Sequence, residues 1–465
     1  FLFFLQKKGW LGIKRKSNGK FDRWGTGSKN FIQKLFKGEY CEYKNFFNDV
    51  LEPFFYSALS VDLTENYFQP LECKIPFLNG GLFEPIKNYN WLETQILIKN
   101  ETIDEIIKTF EMFNFTIQED DPLDREIAID PEMLGKVFEN LLEIKDRRSK
   151  GTFYTPRNIV KHISEQSLIE YLNTNCNKYV EDSDIRKFVI VDFLENKTQS
   201  KAIERNYLKL DLFLENIKVL DPAIGSGAFS VEFMNLIVKC RKKLNIYFND
   251  TKRNDYYFKS FFIENNIYGV DIESHATETA KLRLWLSLVI DENNYDNIKP
   301  LPNLDYKIST GNSLSKLTKN LLNLSKLENL EKIKKKYFST TSLKKKLVLK
   351  EEINEILKDL FNNKINFEHS INFSEIFNKN NGFDIILTNP PYGYKFSKEE
   401  KKEIKENYKY QKSEVESYLV FFERCLELLK DNGTLALIIP NTWLFNLRQD
   451  VFRKYILENY RINSI

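Results

Sequence analysis

At 465 residues the chain exceeds one ordinary core and points to two domains. Its 42% hydrophobic and 14% aromatic content supplies enough apolar surface to exclude a disordered protein. With 69 Lys and Arg against 66 Asp and Glu, the net charge of +3 neither demands nor excludes nucleic acid, which needs only a local basic surface.

From residue 1 to about 148, helical spacing dominates. Phe1-Leu2-Phe3-Phe4-Leu5 is broken at once by Gln6-Lys7-Lys8, which argues against a signal peptide. Because the chain starts at Phe1 and not Met, a fragment of something longer is expected. Ile103, Ile106, Ile107 and Phe110 form one helical stripe, and Leu134, Val137, Phe138, Leu141 and Leu142 another. Asn79-Gly80-Gly81 reads as an irregular patch, and the basic loop Lys145 to Gly151 as a boundary. Thr155-Pro156 then reads as an N-cap and first helical position, with Val160, Ile163, Ser167 and Tyr171 on one face.

A polar stretch from Asp182 to Glu215 is expected to be mobile. Ile217 to Leu220 reads as a short buried strand, feeding the tract Asp221 to Phe229 and a helix to about Lys242. A second strand, Ile267 to Val270, ends at Asp271, and Ala276, Ala280, Leu284 and Leu288 mark the core face of the next helix. Arg283 reads as a surface charge and Trp285 as packing. A short strand from Ile308 leads to Asn312, and about 314–379 reads as a helical insertion. Its Lys344, Lys345, Lys346 and Lys350 suggest a solvated helix face. Phe383 to Thr388 is a clear strand that delivers Asn389. Tyr418, Phe422, Cys425 and Leu429 mark a helix stopping at Asp431-Asn432-Gly433, before a strand from Thr434 to Ile439. Strands alternating with helices imply a parallel-rich α/β sheet with helices on both faces.

Two tracts carry chemistry. In Asp221-Pro222-Ala223-Ile224-Gly225-Ser226-Gly227-Ala228-Phe229, the glycines permit a sharp turn and close approach to a ligand, and the helix start offers free N–H groups. The third glycine of a dinucleotide fingerprint and the lysine of a P-loop are both absent. A cofactor with a carboxylate, such as S-adenosylmethionine, fits better than a pyrophosphate. Asp271 is positioned to accept from ribose hydroxyls, or to cap a helix; Asn312 to pair with an adenine ring, or to make a turn.

The second tract, Asn389-Pro390-Pro391-Tyr392, is rigid and cannot extend the sheet. The Asn389 side-chain oxygen and the Pro390 carbonyl offer two acceptors to an NH₂ group, and Tyr392 a ring on which a base can stack. Accepting both hydrogens makes the amino lone pair available for methylation. In duplex DNA the base must first leave the stack. Elsewhere the signals are weaker. Asp130 with Glu143 and Lys145 mimics a nuclease carboxylate set, but on a helical pattern. His162, His275 and His369 read as structural. Three histidines and scattered cysteines argue against a metal site and for a reduced, cytoplasmic setting. No apolar run approaches the roughly 18 residues of a membrane span.

These residues resemble the amino-methyltransferases of DNA, in particular the spacer and methyltransferase portion of type IIG restriction–modification enzymes. The resemblance rests on Asp221–Phe229, on Gly151-Thr152-Phe153-Tyr154-Thr155-Pro156, on Asp271 and on Asn389–Tyr392. Leu78-Asn79-Gly80-Gly81-Leu82-Phe83 and Asp130-Pro131-Glu132-Met133-Leu134-Gly135 extend it to the N-terminal part. It implies a Rossmann-like S-adenosylmethionine-dependent methyltransferase sheet, short of its last strands, over 149–465, behind a mainly helical spacer over 1–148. It further implies cofactor binding by Tyr154, Thr155, Pro156, Asp221, Pro222, Ala223, Gly225, Ser226, Gly227, Asp271, Ile272 and Asn312, and catalysis by Asn389, Pro390, Pro391 and Tyr392. The motif order is that of the adenine-N6 subgroup, with double-stranded DNA as partner and any nuclease domain or subunit outside this chain. Cytosine N4, a protein glutamine, and a non-catalytic DNA-binding fragment are the alternatives.

Overall fold

The computed structural model describes residues 1–78, 81–83, 89–112, 155–192, 199–248, 250, 252–292, 298–316, 324–340, 342–361, 367–412 and 415–465. The chain divides into two compact units. One gathers Phe1–Gly135, Lys281–Asp305 and Glu328–Ile356; the other gathers Lys136–Ala280, Tyr306–Leu327 and Leu357–Ile465.

In the first unit, helices Leu2–Lys7, Phe31–Phe36 and Asn100–Glu111 accompany a small antiparallel sheet. Its strands β1 (Ile13–Lys14), β2 (Tyr67–Phe68) and β3 (Cys73–Lys74) lie in the order β1-β3-β2. Ile103 and Ile107 are buried while Ile106 and Phe110 are exposed, so the predicted stripe is narrower than its spacing suggests. The second predicted stripe, the patch at Asn79-Gly80, the Lys145 loop and the Asp130, Glu143 and Lys145 set lie outside the described residues. Trp285 is buried and its indole N–H donates to the Pro302 carbonyl at 2.8 Å. Arg283, expected at the surface, is buried beside it in sequence. The lysine-rich helix Leu343–Leu360 corrects another expectation. Lys344 and Lys345 are exposed, but Lys346 is buried with its ammonium 5.5 Å from the Tyr337 ring, and Lys350 pairs with Asp305 at 3.5 Å.

The second unit is built on five parallel strands: β4 (Val219–Asp221), β5 (Ile267–Asp271), β6 (Ile308–Thr310), β7 (Phe383–Thr388) and β8 (Leu429–Leu437). Their order is β6-β5-β4-β7-β8. Successive residues of a strand point to opposite faces, and Ile385 and Ile386 are both fully buried, so both faces of the sheet are covered. That is why the middle of β7, Ile385-Ile386-Leu387, reads as an unbroken apolar run. On one face Leu220, Val270 and Ile386 pack with Phe373, Ile376, Cys425 and Leu428. Helix Arg157–Cys176 packs against β7, β8 and helix Ala228–Asn245.

The stretch expected to be mobile is instead helical, at Asp182–Ile190, Lys201–Arg205 and Tyr207–Asn216. Ile185, Phe188, Leu210 and Leu214 are the buried anchors that its polar composition hides. The predicted stop at Asp431-Asn432-Gly433 lies inside β8. Register shifts there from Phe383↔Leu429 to Ile385↔Thr434, and Asn432 takes φ +62°, so the turn residues make a bulge and not a break.

Strand order sets the position of the site. From β4 the chain steps outward to β5 and β6, then returns to lay β7 on the other side of β4. The carboxyl ends of β4 and β7 thus flank the point where the winding reverses, the place where open α/β sheets bind ligands.

Candidate active site

Asp221 closes β4, and its carboxylate accepts the Ala223 N–H at 3.1 Å, which folds the chain into the glycine turn. Burial pushes its pKa up to about 7, against the pull of the Thr388 side chain and the Ala223 N–H. Gly225 at φ +51° and Gly227 at φ +80° carry the turn into helix Ala228–Asn245. A Cβ on Gly227 would sit 3.0 Å from the Ala280 Cβ, whereas one on Gly225 would meet nothing within 4 Å. One glycine is therefore required by packing, and the other leaves open space in front of the turn.

Asp271, at the end of β5, accepts the Gly225 N–H on one oxygen at 2.9 Å and the Glu273 N–H on the other at 3.0 Å. Burial raises its pKa. Each oxygen keeps a second lone pair for a ligand hydroxyl. Beyond β6, the Ser313 hydroxyl donates to the Pro222 carbonyl at 2.6 Å. The ends of β4, β5 and β6 are thereby tied into one cradle. Pro222 and Ser226 are buried in it, Ala223 half-buried, and Ile272 is 65% exposed at its rim. Asn312 is exposed and its side-chain oxygen accepts the Leu314 N–H at 3.0 Å, a local turn.

Asn389 leaves the end of β7, half-buried, with Pro390 buried behind it. The Ile438 N–H donates to the Thr388 carbonyl at 3.1 Å, and the Ser417 hydroxyl to the Pro391 carbonyl at 2.7 Å, so the backbone on both sides of the tract is held. The Asn389 amide nitrogen donates to the Thr155 hydroxyl at 3.0 Å. Thr155 is buried and Pro156 exposed; the helix begins at Arg157 with Pro156 as its cap residue. The predicted Thr155 cap is thus corrected: the cap position falls one residue later, on Pro156, and the Thr155 hydroxyl meets Asn389. Gly151 to Tyr154 lie outside the described residues.

An open cavity of about 350 Å³ adjoins the tract, lined by Tyr392, Gly393, Glu416, Tyr418, Pro440, Thr442 and Asn446. The Tyr418 and Thr442 hydroxyls are 3.1 Å apart within it. Ser313, Ser417 and Thr442 were not singled out by the sequence; Ser and Thr side chains that reach a distant strand carry no periodic signal. His369 is buried against Arg424, its pKa held well below the usual range by burial and then by that guanidinium, so it stays neutral. Among the described residues no group of three or more His, Cys, Asp or Glu could hold a metal ion. None of the helices formed by the described residues is long and apolar enough to cross a membrane.

Residues 265–465 match the Eco57I restriction-modification methylase family. The resemblance read from the sequence holds: the chain is similar to restriction–modification methylases of that type. It is 28% identical to RM.MjaORFECS2P of Methanocaldococcus jannaschii, provisionally named a type II restriction enzyme and methyltransferase, over 91% of this chain and 44% of that protein. It is 26% identical to RM.Eco57I of Escherichia coli, a type II restriction enzyme and methyltransferase, over 55% of this chain and 23% of that one. The chain therefore spans less than half the length of these relatives. Among solved structures it shares its fold with MmeI, a type IIL restriction-modification enzyme in complex with DNA, at a TM-score of 0.56 and 14% identity, covering 98% of this chain and 48% of that one.

Proposed function

We propose that the chain is the spacer and methyltransferase portion of a restriction–modification DNA methyltransferase. It would methylate the N6 amino group of an adenine flipped out of duplex DNA. The observation that carries this reading is the adjacency of two tracts at the reversal of the sheet. Asp221's glycine turn ends β4, and Asn389-Pro390-Pro391-Tyr392 ends the neighbouring β7. The match to restriction–modification methylases supports it, and the motif order favours adenine.

The residues present suit S-adenosylmethionine. Open space at Gly225 and the N-terminus of helix Ala228–Asn245 suit its methionine part, and the spare lone pairs of Asp271 suit its ribose. Ile272 at the rim and Asn312 are the candidates beside its adenine. When bound, that cofactor supplies an electrophilic methyl group on a sulfonium. The chain's own part is to hold the amine. Asn389's side-chain oxygen and Pro390's carbonyl take the two amino hydrogens, which turns the nitrogen lone pair out of conjugation with the ring. Tyr392 stacks on the base, and the cavity beside it, within the roughly 300–1,000 Å³ of small-ligand sites, takes the rest. We assign residues 1–148 to the spacer and 149–465 to catalysis, with an insertion over about 314–379. The setting is the cytoplasm, where the buried thiols of Cys73, Cys176, Cys240 and Cys425, each raised in pKa by burial, stay reduced.

The test incubates the full-length protein and its Asn389→Ala variant with unmethylated mixed-sequence DNA and labelled S-adenosylmethionine, then resolves the nucleosides by mass spectrometry. N6-methyladenine that disappears in the variant supports the reading. N4-methylcytosine would keep the chemistry and change the base. No methylated nucleoside, with cofactor bound, would overturn it.

A further inference from the structure

We infer that Thr155 is a positioning residue for Asn389, setting which end of its amide faces the target amine. The inference rests on the amino-methylation reading of the site. Four observations carry it. Thr155 is buried, and 234 residues separate it from Asn389, yet its hydroxyl accepts the Asn389 amide N–H at 3.0 Å. The helix it precedes takes Pro156, not Thr155, as its cap residue. The helix, Arg157–Cys176, packs directly against β7 and β8, so Thr155 stands on the same scaffold as Asn389. Finally, the Asn389 backbone is already fixed, by the Ile438 N–H on the Thr388 carbonyl and by the Ser417 hydroxyl on the Pro391 carbonyl.

What the backbone leaves open is the terminal torsion of the Asn389 side chain, which is broad and roughly two-fold. A half-turn exchanges oxygen for nitrogen. In the wrong orientation the amide would present N–H donors to an amino group that itself brings two N–H donors, and the Pro390 carbonyl would be left as the one acceptor of the pair. With Nδ2 held on Thr155, Oδ1 is the end turned away from Thr155, as the acceptor role requires. Thr155 therefore acts through Asn389, not on the reacting atoms.

The competing role for Thr155 is a direct cofactor contact, and kinetics separate the two. In the full-length protein, Thr155→Val keeps the shape and removes the acceptor, and Thr155→Ser keeps the hydroxyl. Loss of one hydrogen bond of ordinary strength predicts a fall in kcat of about threefold to tenfold for the Val variant. KM and the directly measured Kd for S-adenosylmethionine should stay within about twofold, and the Ser variant should restore kcat. Thr155→Ala provides the same comparison if the Val variant misfolds, since retained cofactor binding reports a folded site. An unchanged kcat in a folded hydroxyl-less variant overturns the inference. So does a raised Kd with kcat intact, which would make Thr155 a cofactor ligand. A parent protein that methylates no nucleoside sinks the functional reading itself, an outcome distinct from either.

Discussion

Replacing Asp221 by Asn should reshape the pH dependence of stability. In the folded chain Asp221 holds its proton up to about pH 7, because burial disfavours its carboxylate; its ordinary value is 3.8. Between those values the folded state keeps a proton that the unfolded state has lost, so stability falls as pH rises through the window and levels off above it. Below the unfolded value the contribution is fully present. The window spans about three pKa units at roughly 1.4 kcal/mol each, so as much as about 4 kcal/mol is lost between pH 4 and pH 8. Asn resembles the neutral acid in shape, still accepts the Ala223 N–H and cannot ionise. The variant should match the parent near pH 4 and exceed it near pH 8 by a melting-temperature difference of roughly 4–8 °C. Calorimetric melting of the two proteins across that range is the assay. Parallel curves would refute the reasoning, for they would mean that Asp221 is ionised in the folded chain at neutral pH.

The two glycines of the turn should separate by phenotype. Gly225→Ala, facing open space, should cost only about 1–2 kcal/mol of backbone strain yet weaken S-adenosylmethionine binding, read by titration. Gly227→Ala adds contact with Ala280 to the same strain and should lower the melting temperature more. Arg424 donates to Glu368 at 2.8 Å and to the Ser313 carbonyl at 3.2 Å, all of them buried. Arg424→Met should therefore cost about 3–5 kcal/mol by urea denaturation, partly recovered by adding Glu368→Gln. At the acid end, Asp305 is held at about 2, since Lys281, Lys350 and the Tyr337 hydroxyl outweigh the raising effect of burial. Its stabilisation is present above its ordinary value and lost as pH falls toward 2, so Asp305→Asn should lower stability at pH 7 and close the gap on acidification.

Local chemistry alone determined strands β4 to β7, the glycine turn and the Asn389 tract. The apolar run Ile385-Ile386-Leu387 suits a doubly buried strand, positive φ at Gly225 and Gly227 favours glycine, and Pro390-Pro391 cannot continue a ladder. Where burial depends on a distant partner, the sequence misled. Arg283 and Lys346 look solvated by composition, and the polar stretch from Asp182 looks unstructured, because hydrophobic anchors three or four residues apart are diluted by charged residues. Thr155 shows the same limit within the site. Its local signal was a helix cap, and only folding, which brings the start of helix Arg157–Cys176 to the end of β7, sends its hydroxyl to Asn389. Strand order, too, was decided by the tertiary structure. The return of β7 to the side of β4 brings Asp221 and Asn389 to one crevice, and no spacing along the chain encodes which strand pairs with which.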